Sequence, residues 1–391
     1  MVPGKYVFQT TAAQTIPVNT KYTIVVVTSS QQFLDFHMVP WEVYKDDPHW
    51  VPPLRMEMKA FFSADNPFWK HTQTCLFVAY KEKKPVGRIA TFIDSFYPGT
   101  QQENIGFFGF FECIHDNTLA HALFQAAETW LKEHGMKRMQ GPIQGRIDVG
   151  CGFTVEGFDI PPAVLVSYTP RHYLDFVKEY SMKKARDQLV YKIDLTQPIP
   201  PRVIEAKERC EKEGFRLRSF RRFHIKKEFA WWLPLMKETF ASHWGYVEVS
   251  DEEVTSRFGI KQLFWTVDPN LFMITENKQG EPIAFKWSIP DYNQLFKDFN
   301  GKMGISGMVK FLLFQRRITQ GKFNFVGIQK DYRGQGIGTF MNYYTLQEMK
   351  RRGYKTASCG WIDEKNIASQ KTIEKAGARP FKRFRVFETK L

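Results

Sequence analysis

The sequence is poor in cysteine, and its few cysteines lie far apart. They are Cys75, Cys113, Cys151, Cys210 and Cys359. An odd number without paired spacing fits neither a disulfide framework nor a metal site, so we expect reduced thiols, no metal and a cytoplasmic protein. The first residues also lack the basic start and apolar core of a signal peptide. No apolar run reaches the roughly 18 residues of a membrane-spanning helix.

Acidic residues are outnumbered by basic ones. Against 55 Lys and Arg there are 41 Asp and Glu, which gives a formal net charge of +14. Such an excess suits a polyanionic partner: a phosphorylated coenzyme, an anionic lipid surface or a nucleic acid. The basic residues are scattered and no nucleic-acid-binding motif occurs, so we expect no nucleic acid partner. Peripheral membrane contact stays open, and the sequence indicates no oligomeric state.

The same order of elements occurs twice along the chain. An apolar hairpin is predicted at 76–90 and again at 271–285. A buried strand and a helix follow each hairpin, at 106–135 and at 323–353. The repeat predicts two copies of one α/β domain. We place a lead-in at 1–20, an N-terminal domain at 21–195, a linker helix at 196–214 and a C-terminal domain at 215–391.

A glycine-rich loop follows the buried strand of the second copy. Gly334, Gly336 and Gly338 stand between the strand predicted at 323–329 and a helix predicted to end near Arg352. Glycines let the backbone approach an oxyanion, its N–H groups then point at the anion, and the helix N-terminus adds a partial positive charge. The loop is therefore a predicted phosphate-binding site, with a glycine-rich turn without ligand as the simple alternative.

Two common phosphate-binding loops do not fit this stretch. A Walker loop requires Gly-Lys-Ser/Thr, which does not occur in the chain. A dinucleotide-binding loop follows the first strand of a long doubly wound sheet, whereas only residues 339–391 follow this loop. The pyrophosphate of coenzyme A is the third candidate.

The pattern Arg333-x-x-Gly336-x-Gly338 resembles motif A of the GNAT N-acyltransferase superfamily. The resemblance implies an α/β (α+β) fold of two tandem GNAT-like domains, each a twisted mixed β-sheet flanked by helices, with the coenzyme between two strands that splay apart. It implies acetyl-CoA or another acyl-CoA as co-substrate, and an amine as acceptor. The implied coenzyme-binding residues are Ile328, Gln329, Lys330, Arg333, Gly334, Gln335, Gly336, Ile337, Gly338 and Asn366. Asn366 begins a stretch similar to motif B, and is equally explained as a simple helix cap.

The chain departs from the family where proton transfer is expected. Ile373 stands where the family often has a tyrosine acid, and Trp361 where it sometimes has a glutamate base. A thiol with a pKa of about 8.5 can leave as thiolate, whereas an alkylammonium must first lose a proton to a base. The catalytic residues therefore stay unknown. Weak candidates are the bases Asp363, Glu364, Asp291 and His243, each better explained as a solvated or structural residue, and the acids Tyr344, Tyr343 and Cys359, which are equally unproven.

The first copy differs at the loop after its buried strand. Residues 114–119 contain no glycine, and Asp116 or Asn117 is expected to cap the following helix in place of an anion. We therefore expect a degenerate N-terminal domain. The C-terminal copy also carries an extra apolar helix near 305–313 surrounded by Lys and Arg, which is either packed in the core, a lid or a membrane-surface helix.

The expected function is transfer of an acyl group from acyl-CoA to a primary amine by direct attack, in the C-terminal domain. Acetyl is the expected acyl group. Long-chain transfer to a lipid amine at a membrane surface and a non-catalytic acyl-CoA-binding protein stay open as alternatives. The chain is also similar to bacterial tandem GNAT proteins, near which some ceramide synthases belong, in residues 44–54, 86–89, 109–112 and 157–162.

Overall fold

The computed structural model describes residues 6–7, 15–258, 264 and 267–391. They pack into two compact units. Unit 1 contains the described residues up to Asp187, together with Leu295–Leu312 and Phe384–Leu391, and unit 2 contains those of Gln188–Gln294 and Leu313–Arg383. The grouping follows packing, whereas the predicted domain boundaries follow the sequence repeat and stay a prediction.

Unit 1 is built on a mixed sheet flanked by helices. Its elements are β1 (Thr15–Pro17), β2 (Tyr22–Val26), α1 (Ser30–Val43), α2 (Arg55–Phe61), β3 (Thr72–Lys81), β4 (Lys84–Asp94), α3 (Pro98–Glu103), β5 (Ile105–Cys113), α4 (Asn117–Glu133), β6 (Arg138–Gly141), β7 (Phe153–Glu156), α5 (Tyr173–Glu179) and the start of β8 (Lys183–Asp194).

The strands of unit 1 pair in the order β1-β2-β3-β4-β5-β6. All of these neighbours are antiparallel except β5 and β6. The predicted hairpin at 76–90 is confirmed by β3 and β4. Strand β1 lies within the residues predicted as a lead-in. Its Ile16 pairs with Ile24 of β2, so β1 extends the edge of the sheet. The last residues of the chain also join this sheet, since Phe387 pairs with Gly141 of β6.

Helix α4 covers the core of unit 1 for a reason visible in its sequence. Its apolar residues Leu119, Leu123, Ala126 and Trp130 recur at helical spacing, and all four are buried. They belong to one cluster with the inward side chains of β2 to β5. The core of unit 1 therefore lies between α4 and the sheet.

Unit 2 has the same kind of architecture. Its elements are the remainder of β8, α6 (Pro201–Lys212), β9 (Arg216–Ser219), α7 (Ile225–Phe240), α8 (Asp251–Phe258), β10 (Phe272–Glu276), β11 (Pro282–Pro290), α9 (Asn293–Phe299, of which Asn293 and Gln294 belong to this unit), β12 (Gln320–Ile328), α11 (Ile337–Arg351), β13 (Thr356–Asp363), α12 (Ile367–Lys375) and the start of β14 (Arg379–Lys390). The additional helix α10 spans Ile305–Phe314, and its residues up to Leu312 belong to unit 1.

The strands of unit 2 pair in the order β8-β13-β12-β11-β10-β9, and only β12 and β13 are parallel. One sheet face carries aromatic side chains that pack on Trp232 of α7. The other face packs on Ile337, Phe340 and Met341 of α11. The predicted α/β class with mixed sheets and flanking helices is confirmed. Within the described residues, no helix combines the length and hydropathy needed to cross a membrane.

Candidate functional site

Strands β12 and β13 pair over only part of their length. Their parallel register runs from Gln320↔Thr356 to Phe323↔Cys359. Beyond that point β12 continues to Ile328 while β13 continues beside β8, where Ile362 pairs with Leu189. The two strands therefore separate, as the resemblance to GNAT proteins implies.

A β-bulge accounts for the position at which the strands separate. Trp287 of β11 pairs with Phe325, but the next residue, Ser288, pairs with Phe323, so that Asn324 is an extra residue in β12. Such a bulge bends its strand and increases the local twist. Asn324 directly follows the last residue of β12 that pairs with β13, so the bulge lies at the point where the two strands separate.

The glycine-rich loop lies at the end of the separated part of β12. Gly334 and Gly336 have φ angles of 80° and 87°, which favour glycine strongly. Gly336 is the N-cap of α11, and no side-chain hydrogen bond caps this helix. A Cβ added at Gly334 would meet open space. The first N–H groups of α11 thus stand at an end without a side-chain cap, the arrangement that favours an anion.

Side chains of the loop hold its own backbone in place. Arg333 Nε donates to the carbonyl oxygen of Ile328 at 3.0 Å, and Gln335 Nε2 donates to that of Asp331 at 3.0 Å. The main-chain N–H of Lys330 donates to Glu238 Oε1 of α7 at 3.1 Å. The path of the backbone from β12 into α11 is therefore set before any ligand binds.

Arg209 of α6 reaches the same loop, although the sequence assigned this helix to a linker. Its guanidinium donates to the carbonyl oxygen of Gln335 at 3.4 Å. A Cβ at Gly336 would lie only 2.3 Å from the same guanidinium nitrogen. The buried residues Val203, Ala206 and Cys210 hold α6 in place. That amphipathic spacing was a sequence signal that α6 packs on a neighbour, but it did not identify the neighbour.

Asn366 caps helix α12, as the simple alternative expected. Its Oδ1 accepts from the N–H of Ser369 at 3.1 Å, and its Nδ2 lies 3.5 Å from His243 Nε2. Burial lowers the pKa of His243, whereas its hydrogen bonds to main-chain groups and the nearby Asp363 carboxylate act in the opposite direction. The half-buried imidazole therefore favours its neutral form, which can accept a proton.

The other candidates for proton transfer fall into different places. Asp363 is buried at the end of β13, where it accepts hydrogen bonds from the N–H of Lys365 at 2.9 Å and Gln188 Nε2 at 3.2 Å. Glu364 follows it in the turn before α12, and its carbonyl accepts from Gln370. Tyr344 instead donates to Glu211 of α6, and burial raises its pKa. Asp363 and His243 thus share the neighbourhood of Asn366, whereas Tyr344 lies against α6.

The three remaining candidates are Cys359, Asp291 and Tyr343, and each is described by its burial or its neighbours. Burial raises the pKa of Cys359 to about 12, so that its thiol stays protonated. Asp291 is buried near Lys322, whose pKa burial lowers to about 7. The ring of Tyr343 lies 5.8 Å from the ammonium group of Lys207. In the part of the chain that the structure describes, no cluster of His, Cys, Asp and Glu could hold a metal ion.

A buried lysine sits beneath the sheet on the α11 side. Lys286 of β11 donates to Asn342 of α11, and its ammonium nitrogen lies 3.7 Å from the centre of the Phe323 ring. Burial lowers the pKa of Lys286 to about 7. Sequence reasoning missed this group, because a single lysine in an otherwise apolar strand carries no sign of its burial.

In unit 1 the corresponding gap beside β5 is closed by the chain itself. The N–H of Ile143 donates to the carbonyl oxygen of Phe108 at 2.7 Å, and the side chain of Gln144 accepts from the N–H of Phe110. At the following helix, Asp116 Oδ1 accepts from the N–H of Leu119 at 3.0 Å. The predicted Asp116 cap is therefore confirmed, and an anion finds neither an open strand nor a free helix end there.

Comparison with known proteins shows which family and which relatives this chain is similar to. Residues 246–378 match the model of the acetyltransferase (GNAT) family. Protein YghO of Escherichia coli (strain K12) is 28% identical over 91% of this chain and 92% of its own. A protein named bacterial ceramide synthase, from Caulobacter vibrioides (strain NA1000 / CB15N), is 27% identical over 95% of this chain and 98% of its own.

A solved structure carries the same fold. A tandem GNAT protein from the clavulanic acid biosynthesis pathway superposes with a TM-score of 0.54 at 12% identity, over 95% of this chain and 98% of that chain. Identity at this level shows the fold and nothing about the substrate. Residues 246–378 thus match the acetyltransferase (GNAT) family, and the chain has the fold of a solved tandem GNAT protein.

Proposed function

We propose that the protein is a coenzyme-A-dependent N-acyltransferase whose active site lies in unit 2. The observation that carries this proposal is the end of α11 without a side-chain cap, at Gly336, directly after a strand that has separated from its neighbour. A pyrophosphate fits the N–H groups of such a helix end. The pantetheine arm would lie along the separated part of β12, where its amides can bond to strand backbone.

In this assignment the coenzyme is held by three groups of residues. Ile328, Gln329 and Lys330 would contact pantetheine through their backbone. The loop from Arg333 to Gly338, including Gly334, Gln335, Gly336 and Ile337, would hold the pyrophosphate, and Asn366 would contact the coenzyme near α12. Arg209 adds a cation at the same loop. No metal takes part in the proposed reaction.

The chemistry follows from the thioester. The nitrogen of a neutral amine attacks the carbonyl carbon, and the developing oxyanion accepts hydrogen bonds from N–H groups of the separated part of β12. The C–S bond then breaks, and coenzyme A leaves as a thiolate. The proton lost by the amine passes to His243, whose neutral imidazole stands beside Asn366. Replacement His243→Gln should lower kcat by about 100-fold while coenzyme affinity is retained.

The acyl group and the acceptor form the finer part of the proposal. Acetyl transfer to a primary amine is the first candidate. Long-chain transfer to a sphingoid-like amine is the second, and the relative named bacterial ceramide synthase favours it. We place the protein in the cytoplasm, where its five buried free cysteines would stay reduced.

Release of free thiol is the direct test. The purified protein would be mixed with acetyl-CoA or palmitoyl-CoA, each with and without an amine of short or long chain. Thiol release that requires the amine, with mass-spectrometric detection of the amide, is the expected result. Coenzyme A binding without thiol release from any pair would instead indicate a non-catalytic acyl-CoA-binding protein.

A further inference from the structure

Helix α10 presents large apolar side chains to solvent. Met308 and Val309 are 49% and 50% exposed, and Leu312 and Leu313 are 64% and 67% exposed. Their spacing places the four residues on one side of the helix, where they form a continuous apolar face. The expectation that this helix is packed in the core does not hold for these four residues. A contiguous apolar patch of this kind marks an interaction surface more often than scattered single residues do.

The apolar face has a basic border. Lys302 and Lys310 are exposed, as are Arg316 and Arg317 directly after the helix. The sequence from Phe299 to Lys330 contains no Asp or Glu. The segment therefore joins exposed leucines to cations without any intervening negative charge.

We propose that α10 binds the surface of an anionic phospholipid membrane. In the boundary between headgroups and acyl chains, the leucine face would enter the apolar layer while Lys and Arg stay among the phosphates. The long stems of Lys and Arg suit this position, since they cover apolar surface and keep the charge in water. A helix of 10 residues is far too short to span the bilayer, so it lies in the plane of the surface. This inference is independent of the proposed acyl transfer.

Charge decides between this occupant and a second copy of the chain. A second copy would bring the same basic border, and like charges would then face each other across the contact. An anionic bilayer supplies both an apolar layer and the opposite charge. The charges thus favour lipid over self-association. A role of α10 as a lid over the proposed coenzyme site is the other alternative that the experiment must exclude.

The test is sedimentation of the full-length protein with phospholipid vesicles. Vesicles of phosphatidylcholine alone are compared with vesicles containing phosphatidylglycerol, at low and high salt. The double variant Leu312→Ser/Leu313→Ser removes apolar area, and Arg316→Gln/Arg317→Gln removes charge. Leu34→Ser/Met56→Ser and Lys81→Gln/Lys83→Gln are the matched controls, since these side chains are also exposed.

Binding to the anionic vesicles that weakens with salt is expected for the wild type and both controls. The leucine variant should bind about tenfold less tightly or worse, and the arginine variant about tenfold less tightly. Circular dichroism and coenzyme A affinity should match the wild type for both, so that neither misfolding nor failure of acyl transfer can imitate the result.

Three outcomes would overturn the proposal. Wild-type protein that stays in the supernatant with anionic vesicles excludes a membrane surface. Vesicle binding that is equal in all variants assigns the contact to another surface. A leucine variant with unchanged vesicle binding but altered sedimentation velocity, or altered coenzyme affinity, assigns α10 to self-association or to a lid.

Discussion

The N-termini of α4 in unit 1 and α11 in unit 2 follow equivalent strands, yet their ends are satisfied in opposite ways. At α4 the Asp116 carboxylate accepts from the N–H of Leu119 and from the hydroxyl of Tyr22 at 2.7 Å. At α11 the N-cap is Gly336, which has no side chain to offer. A helix end has orphan N–H groups in either case. Unit 1 supplies the anion from its own sequence, whereas in our proposal unit 2 leaves this position for a ligand.

The strands before these helices differ in the same sense. Ile143 and Gln144 fill the side of β5 with hydrogen bonds, whereas β12 continues past Phe323 without pairing to β13. Two copies of one architecture can thus keep a common core and differ only in which backbone groups are already occupied. That difference makes unit 1 a scaffold in our proposal and unit 2 the enzyme.

The largest expected effect comes from giving α11 an anion of its own. In Gly336→Glu the new side chain meets Arg209 and places a negative charge where phosphates would lie. Repulsion between the new carboxylate and the phosphates would cost several kcal/mol, so we expect coenzyme A affinity to fall by at least about 100-fold. Isothermal titration calorimetry measures this affinity for the variant and the wild type.

Gly353→Glu is the matched control for that variant. Gly353 has a similar positive φ of 79° just beyond the other end of α11, and a Cβ there meets nothing within 4 Å. It carries the same backbone strain without a nearby phosphate. If both variants bind coenzyme A as the wild type does, the assignment of the pyrophosphate site is wrong.

The second prediction uses a buried position at which the two units differ. Lys286 of β11 corresponds in the repeat to Ile89 of β4, and both are buried. Burial in the folded protein lowers the pKa of Lys286 from 10.5 to about 7. Between these values the unfolded chain binds one more proton than the folded chain. Lys286 should therefore make the free energy of unfolding rise with pH over this window, by about 1.4 kcal/mol per pH unit for this group alone.

Lys286→Ile should remove this contribution and make the rise less steep, while the contribution of Lys322, whose pKa burial also lowers to about 7, remains. Urea unfolding at pH 7, 8 and 9 gives the slope for the variant and the wild type. Lys192→Ile provides the control, because Lys192 is an exposed lysine on a strand of the same unit. Equal slopes for wild type and Lys286→Ile would show that Lys286 keeps its proton in the folded state.

A smaller effect is expected at Arg209, whose guanidinium reaches the glycine loop of unit 2. Arg209→Gln should weaken coenzyme A binding by about tenfold, since a charge-assisted hydrogen bond to phosphate is lost. KM should rise while kcat is retained, because the residue lies at the pyrophosphate and not at the thioester. Arg202→Gln, on an exposed position of the same helix, should bind normally. An unchanged KM in Arg209→Gln would remove Arg209 from the site.

The smallest effect concerns the occupied helix end in unit 1. Asp116→Ala removes the cap and should lower the free energy of unfolding by about 1 kcal/mol. It should not create coenzyme A binding in unit 1, because Ile143 still blocks the strand. The measurement is thermal unfolding, together with the stoichiometry of coenzyme A. A second bound coenzyme in this variant would show that the Asp116 cap alone keeps unit 1 empty.

Features with short-range causes were predictable from the sequence. The hairpins, the Asp116 cap and the order of strand, glycine loop and helix depend on residues within a few positions of each other. Alternation of apolar residues, N-cap chemistry and the freedom of glycine act at that range, so the pattern carries the information. For the same reason Asn366 was recognisable as the start of a helix.

Features made by distant residues were not predictable. Arg209 and Gln335 are 126 residues apart in the chain, and no pattern links them. The bulge at Asn324 shows only when β12 is laid against β11. Likewise, the filling of the gap beside β5 by Ile143 depends on how the chain returns after β6.

By itself, the sequence determined the class of fold, the position of the glycine loop and the self-capped helix of the first copy, because each follows from local backbone preferences. Only the tertiary structure decided which strand edge stays open, which cation reaches the loop and which apolar helix faces water. Those outcomes depend on packing between segments far apart in the chain, where a side chain's neighbours are set by the whole fold.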